Sequence, residues 1–332
     1  MESSRDYAYY KEHAQDVNLG DITSSERNKN IMQKLRDGDS DFTSFLILDE
    51  PMDDDDLEFM VQEDADDLGW LGYFIGENKT LNDLLVKCHI IGNSLIEGIC
   101  RNRSIESLAI ENDVRSYLPF GRMFKNNSTL NSLTFECFRM NAREFAVSLG
   151  HRSQLKYLNF DYMDFSDEDV SAIANALDVQ PQLEELKFES NEFERDCCVA
   201  LKTTFMEWGS DSQLKKLDLS CDGIEDEGLT ILLEGLACCH NLVDLNLSCN
   251  TDISAQGLRG LSSHFQNGVC CLEILNLHNV QIDDNGAEAL AFGLMHYESL
   301  KFLDLSRNLV GDAGVAALVS GLTAAANANL ET

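Results

Sequence analysis

One spacing recurs down the chain and leaves few folds open to it. Leu214, Leu217 and Leu219 occupy the first, fourth and sixth positions of a short segment, and Leu242, Leu245 and Leu247 repeat the pattern. So do Leu272, Leu275, Leu277 and Leu300, Leu303, Leu305. Earlier segments starting at Leu183, Leu155, Leu130, Ile105, Leu81 and Phe42 follow the same rule. All 30 framework positions of the ten segments are apolar, in a chain that is 44% apolar. From Leu81 onward the steps are 24, 25, 25, 28, 31, 28, 30 and 28 residues. A unit of that length cannot bury its own apolar side and must stack on its neighbours.

Within each unit the period changes. Fourth and sixth positions alternate as a strand requires, placing both side chains on one face. Leu229, Leu232, Leu233 and Leu236 then fall at i, i+3, i+4 and i+7, the stripe of an amphipathic helix. Val170 to Leu177, Ala287 to Leu294 and Val315 to Leu322 repeat that spacing. The expected unit is therefore strand, loop, helix, loop. Strands pack ~4.8 Å apart and helices ~10 Å apart, so stacking bends the array. The expected fold is α/β, a horseshoe solenoid with parallel strands on the concave face and helices on the convex face.

The pattern from Phe42 to Thr332 resembles leucine-rich repeats of the ribonuclease-inhibitor-like class, to which Ran GTPase-activating proteins belong; tropomodulins carry a related array. The ninth position, Asn in that class, is Asn191, Asn250 and Asn308, with Asp113 and Asp222 as near substitutes. His89, Phe138, Met163 and Val280 depart from it, so the hydrogen-bond ladder made by those Asn side chains should be interrupted there. The resemblance implies a binding scaffold. It also leaves open regulation of a small GTPase, of the GTPase-activating type, and a cytoskeletal adaptor role, the latter through the tropomodulin-like segment Asn30 to Ile47.

Residues 1–26 are largely polar, with an aromatic cluster at Tyr7, Tyr9 and Tyr10, and read as a flexible tail; residues 27–41 read as an N-terminal capping helix. The repeat array is expected over 42–332, with an acidic insert at about 49–67 that contains Asp53, Asp54, Asp55 and Asp56. That insert is either a solvated loop or a recognition loop for a basic partner. Leu330 begins another strand, so the array is expected to lack a C-terminal cap: either the chain is truncated there, or its end is capped by a partner or by another copy through self-association.

Charge narrows the function. The chain carries 25 Lys+Arg against 58 Asp+Glu, a net −33. Such a field disfavours nucleic acid and anionic membrane and favours a basic protein partner. The N-terminus lacks an apolar signal region, and eleven cysteines without a secretory context indicate a reducing, cytoplasmic or nucleocytoplasmic setting. No phosphate-cradling loop, GxGxxG or HExxH is present, and the histidines form no spaced pair, so neither an enzyme nor a cofactor is expected. The spacing Asp37, Asp39, Asp41 suggests a calcium loop, but Phe42 and Leu48 stand where a Gly and a Glu are needed.

The exposed strand positions are the fifth, seventh and eighth. Glu111, Glu136, Asp161 and Glu189 hold the seventh in successive repeats, a carboxylate row at ~5 Å steps whose mutual repulsion is worth up to ~1 kcal/mol per neighbour. A basic protein ligand would relieve it. Asp218 and Asp304, at fifth positions, are weaker candidates. Cys88, Cys137, Cys221 and Cys249 share the eighth position, with His278 one coil on. Ligands strung along a line make a poor zinc tetrahedron, so these cysteines read as small semi-buried packing residues, with a metal or redox site as the alternative.

Overall fold

The computed structural model describes residues 6–49, 57–61, 66–88, 92–111, 128–136, 140–150, 154–266, 271–295 and 299–324. Asp53 to Asp56, His89, Asp113, Cys137, Phe138 and Leu330 to Thr332 therefore lie outside the described residues. The chain divides into two compact units, residues 1–155 and 156–332.

In residues 1–155 the described strands are β1 (Ser44–Leu48), β2 (Glu58–Met60), β3 (Asp83–Lys87), β4 (Ser107–Glu111) and β5 (Ser132–Glu136). All pair in parallel, in the order β5-β4-β3-β1-β2. Phe45, Leu84, Leu108 and Leu133 stand level across neighbouring strands, as do Ile47, Val86, Ile110 and Phe135, and all eight are buried. Each such side chain contributes about 1.5–3 kcal/mol on leaving water. Part of the insert is not a loop: β2 adds an edge strand beside β1. Helix Glu26–Asp37, which occupies the expected cap, holds it there. Asn28 donates to the Met60 carbonyl at 2.7 Å and accepts from its N–H at 3.0 Å, and Arg27 pairs with the buried Glu58 at 3.4 Å.

The expected tail is a correction. Residues Tyr7–His13 and Leu19–Ile22 are helical, and Tyr7, Tyr10 and Leu19 are buried. The aromatic side chains provide the apolar surface that a polar tail would lack. Tyr10 packs edge-on to Trp70 with centroids 5.1 Å apart, and Tyr7 lies 5.2 Å from Tyr73. The Tyr7 hydroxyl donates to Glu77 at 3.0 Å, and the Arg101 guanidinium sits 4.2 Å over its ring. Helices Asp66–Glu77 and Asn93–Arg101 cross at glycines: a Cβ on Gly98 would fall 1.8 Å from the Gly72 carbonyl oxygen. Helix Ala142–Leu149 completes the described elements of this unit.

In residues 156–332 the strands are β6 (Tyr157–Asp161), β7 (Glu185–Glu189), β8 (Lys216–Asp218), β9 (Asp244–Asn246), β10 (Ile274–Asn276) and β11 (Phe302–Asp304). They pair in parallel in chain order. Each strand is followed by a helix: Asp167–Ala176, Arg195–Trp208, Asp226–Leu236, Ala255–Gln266, Asp284–Leu294 and Asp312–Ala324. Leu229, Leu232, Leu233 and Leu236 are buried as their spacing requires, and the Phe160 and Phe188 rings stack at 5.2 Å. In the last of these helices Leu318 is buried, while Val315 and Val319 are 51% and 53% exposed because no described element packs beyond them.

The ninth-position side chains tie neighbouring coils together. Asn250 donates to the Leu219 and Leu247 carbonyls at 2.7 and 3.0 Å and accepts from the Asp222 and Ile224 N–H groups. Asn308 repeats this with Leu277, Leu305, Val280 and Ile282, and Asn191 reaches Phe160 and Glu189. At Met163 and Val280, both buried, the ninth side chain is apolar and cannot take part.

Candidate functional site

The strand register sets the seventh-position carboxylates side by side within each unit, Glu111 opposite Glu136 and Asp161 opposite Glu189. They do not form a bare repulsive row. Lys87, at the same position one strand before Glu111, places Nζ 2.8 Å from its Oε2. Lys187, from the fifth position, lies 2.6 Å from Glu189 and 3.2 Å from Asp161. Partial burial works against the Lys187 ammonium, but the two carboxylates outweigh it and hold its pKa above the usual lysine range. One cation shared by two anions turns the expected repulsion into net attraction. The exposed Tyr162 hydroxyl adds a hydrogen bond to Glu189 at 3.0 Å.

The fifth-position candidates behave differently from the sequence expectation. Asp218 is buried, its Oδ1 accepting from the Ser220 N–H and hydroxyl and its Oδ2 from the Asn246 amide at 3.0 Å. It is a turn former, not an exposed contact, because the Ser two residues on folds back onto it. Asp304 makes the same turn with Ser306, whose hydroxyl holds the Asp304 pKa below the usual range, but it stays partly exposed.

Charge on residues 156–332 is unevenly matched. Where the strands begin, ions are paired: Glu184 lies between Lys156 and Lys215 at 2.9 and 2.6 Å, Lys216 faces Glu185 at 3.6 Å, and Lys301 faces Glu273 at 2.7 Å. Where they end, acid dominates. A shallow cavity of about 620 Å³ at the exits of β7 and β8 is lined by Glu192, Glu194, Asp222, Glu225 and Glu227, with Arg195 as the cation among its lining residues. Arg195 is already paired with Glu227 at 2.8 Å.

Third-position side chains add apolar surface that the sequence reading missed. Tyr157, Ile274 and Phe302 are 38%, 37% and 41% exposed, and Ile274 and Phe302 stand opposite one another in register. The signal was present, since the third position alternates with the buried fourth and must face outward.

The eighth-position residues share an unusual backbone. Tyr162, Ser190, Cys221, Cys249, Asn279 and Arg307 all have φ between 52° and 62°. Cys249 is half-buried, as a semi-buried packing residue would be, and Cys88 is buried, whereas Cys221 is exposed. Beside them Asp222 stands in the Asn ladder with 1% exposure. Its Oδ1 accepts from the Asn191 N–H at 2.8 Å, and its buried Oδ2 has no hydrogen-bond partner. Burial raises this carboxyl pKa well above the ordinary range. Among the described residues no group of three His, Cys, Asp or Glu side chains could hold a metal ion, and no helix is long and apolar enough to cross a membrane.

Comparison with known proteins agrees with this geometry. The family model described as Leucine Rich repeat matches residues 238–262, 270–291 and 298–319. A ribonuclease inhibitor from Sus scrofa is 28% identical over 201 residues, covering 60% of this chain and 43% of its own. One from Mus musculus is 25% identical over 246 residues, covering 58% and 54%. A NACHT, LRR and PYD domains-containing protein 14 from Mus musculus is 28% identical over 169 residues, covering 51% of this chain and 17% of its own. The chain thus spans between 17% and 54% of the length of these curated relatives.

Proposed function

Because the chain is a leucine-rich-repeat protein of the ribonuclease-inhibitor-like class, we propose that it is a non-catalytic module that binds a basic protein partner. Such scaffolds bind proteins in general; the partner's charge and the surface used are the finer reading. The observation that carries it is the charge asymmetry of residues 156–332, with paired ions at the strand starts and unmatched acid at the exits. Glu192, Glu194 and Glu225 would meet lysines or arginines of the partner at the strand exits, and Tyr157, Ile274 and Phe302 would supply apolar contact at the strand starts. Asp161, Glu189 and Asp304 border the strand face of residues 156–332, while Asp218 only shapes it, and Glu111 with Glu136 offers a basic partner a second acidic pair on residues 1–155. A cytoplasmic setting suits a chain with eleven cysteines, an odd number.

The relatives' name gives the first partner to try, a ribonuclease. Surface plasmon resonance of the chain against a panel of basic and acidic proteins of similar size, ribonucleases included, tests the reading at low and moderate salt. Binding confined to basic members, with an association rate that falls about ten-fold or more on adding salt, is expected. Equal binding of acidic and basic members, or none to either, overturns it.

A further inference from the structure

Two solvent-reachable thiols occupy equivalent places on adjacent coils. Cys221 and Cys249 each sit at the eighth position with left-handed backbone, φ 60° and 62°. The ladder continues through both, with the Cys221 N–H donating to the Ser248 carbonyl at 2.9 Å and the Cys249 N–H to His278 at 2.8 Å. That pairing sets their Cα atoms one strand spacing apart, ~4.8 Å, inside the ~4.4–6.8 Å that a disulfide spans. Parallel side chains on such neighbours need only a small inward turn to join, and an exposed strand exit allows it. We propose that Cys221 and Cys249 form a peroxide-responsive dithiol, a modification site that closes into a disulfide linking two neighbouring repeats.

The two sulfurs are not equivalent. Partial burial, and then contact with Cys249, push the Cys221 thiol up to about 11, so it stays protonated at neutral pH. Cys249 is the sulfur that receives a hydrogen bond from the Asn279 amide, Nδ2 to Sγ 3.7 Å, on the side away from Cys221's coil. The Cys249 sulfur attacks hydrogen peroxide, the O–O bond breaks, and the departing hydroxide takes up the Cys249 thiol proton as water. This leaves Cys249 as a sulfenic acid. The Cys221 sulfur then attacks the Cys249 sulfur, the S–O bond breaks, and the Cys221 proton leaves with the oxygen as a second water. Two thiols are oxidised to one disulfide, and peroxide is reduced to two waters. Of the other described cysteines of this unit, Cys197, Cys198 and Cys239 are buried, and the exposed Cys271 precedes β10, at the opposite end of the strands from Cys221 and Cys249.

The test treats the folded full chain with hydrogen peroxide, blocks remaining thiols, and digests with a protease that cleaves before aspartate. Asp218, Asp226, Asp244 and Asp252 then place Cys221, Cys249 and the pair Cys238 and Cys239 on separate peptides. A cross-linked Cys221–Cys249 peptide, dominant over other pairings and reversed by dithiothreitol, is expected. Cys221→Ser should lose it and leave Cys249 over-oxidised to sulfinic acid. Ser190 already holds the equivalent backbone at φ 59°, so that variant should fold, which circular dichroism verifies. Sulfinic acid on Cys249 of the unsubstituted chain without the cross-link overturns the proposal, as does preferred linkage to any other cysteine.

Discussion

Asp222→Asn should stabilise the protein, and the gain should depend on pH. At Asn250 and Asn308 the amide nitrogen donates to two carbonyls at 2.7–3.0 Å. By register, the Asp222 Oδ2 occupies the corresponding place, and it has no partner. A buried polar group without a hydrogen bond costs about 1–3 kcal/mol, and each restored bond returns about 1 kcal/mol. The substitution should therefore add about 2 kcal/mol at neutral pH. Burial holds the Asp222 carboxyl pKa up in the folded state, and Asp218, Glu189 and Cys198 face it and push the same way, against the Asn191 N–H. The folded pKa thus lies above the unfolded one, ~3.9. The protonated acid can donate as the amide does. Its contribution is present below the unfolded pKa and is lost as pH rises through the folded pKa. Paired urea melts of the two chains between pH 5 and 8 read this directly, because other titrations cancel in the difference. The gain should grow toward pH 8. A variant less stable than its parent at pH 8, or a difference flat with pH, would refute the reasoning.

Three further perturbations test the packing. Lys187→Ala leaves Asp161 and Glu189 facing one another half-buried, and should cost about 2 kcal/mol in urea melts, most of it recovered by adding Glu189→Gln; an unchanged midpoint counts against the shared ion pair. Gly98→Ala drives a methyl into the Gly72 carbonyl and should lower stability by about 1–3 kcal/mol, visible as a lower thermal midpoint; no shift would mean the helix crossing is looser than described. Tyr7→Ala with Tyr10→Ala should release the first helix and expose Lys11 to trypsin at native conditions, and unchanged resistance there would contradict the docking of that segment.

The repeat made the strands and helices legible because two periods, two and 3.6 residues, alternate along the chain at one spacing. Aromatic docking escaped that reading: Tyr7 and Tyr10 lie in a polar stretch, and their partners Tyr73 and Trp70 lie 66 and 60 residues away. The strand β2 escaped for a related reason, since its pairing is fixed by Asn28 on a separate helix. Among the site residues, the sequence put these carboxylates at one strand position but did not show their charge balance. Lys87 shares its position and could have been read from one more repeat, whereas Lys187 comes from a different column and reaches across. Asp218 could have been suspected as a turn former from the Ser two residues on, a spacing repeated at Asp304 and Ser306.

The central claim, that unmatched acid at the strand exits recruits a basic protein, is tested most directly by two charge reversals compared in one association experiment. The probe is the tightest-binding basic protein of the panel. Glu192→Lys with Glu225→Lys reverses the exit charge, and Lys215→Glu with Lys216→Glu reverses charge at the strand starts. The account predicts that the exit variant slows association about ten-fold or more at low salt, with the loss shrinking as salt is added, while the other variant matches or exceeds the parent. An exit variant that associates as fast as the parent would contradict it.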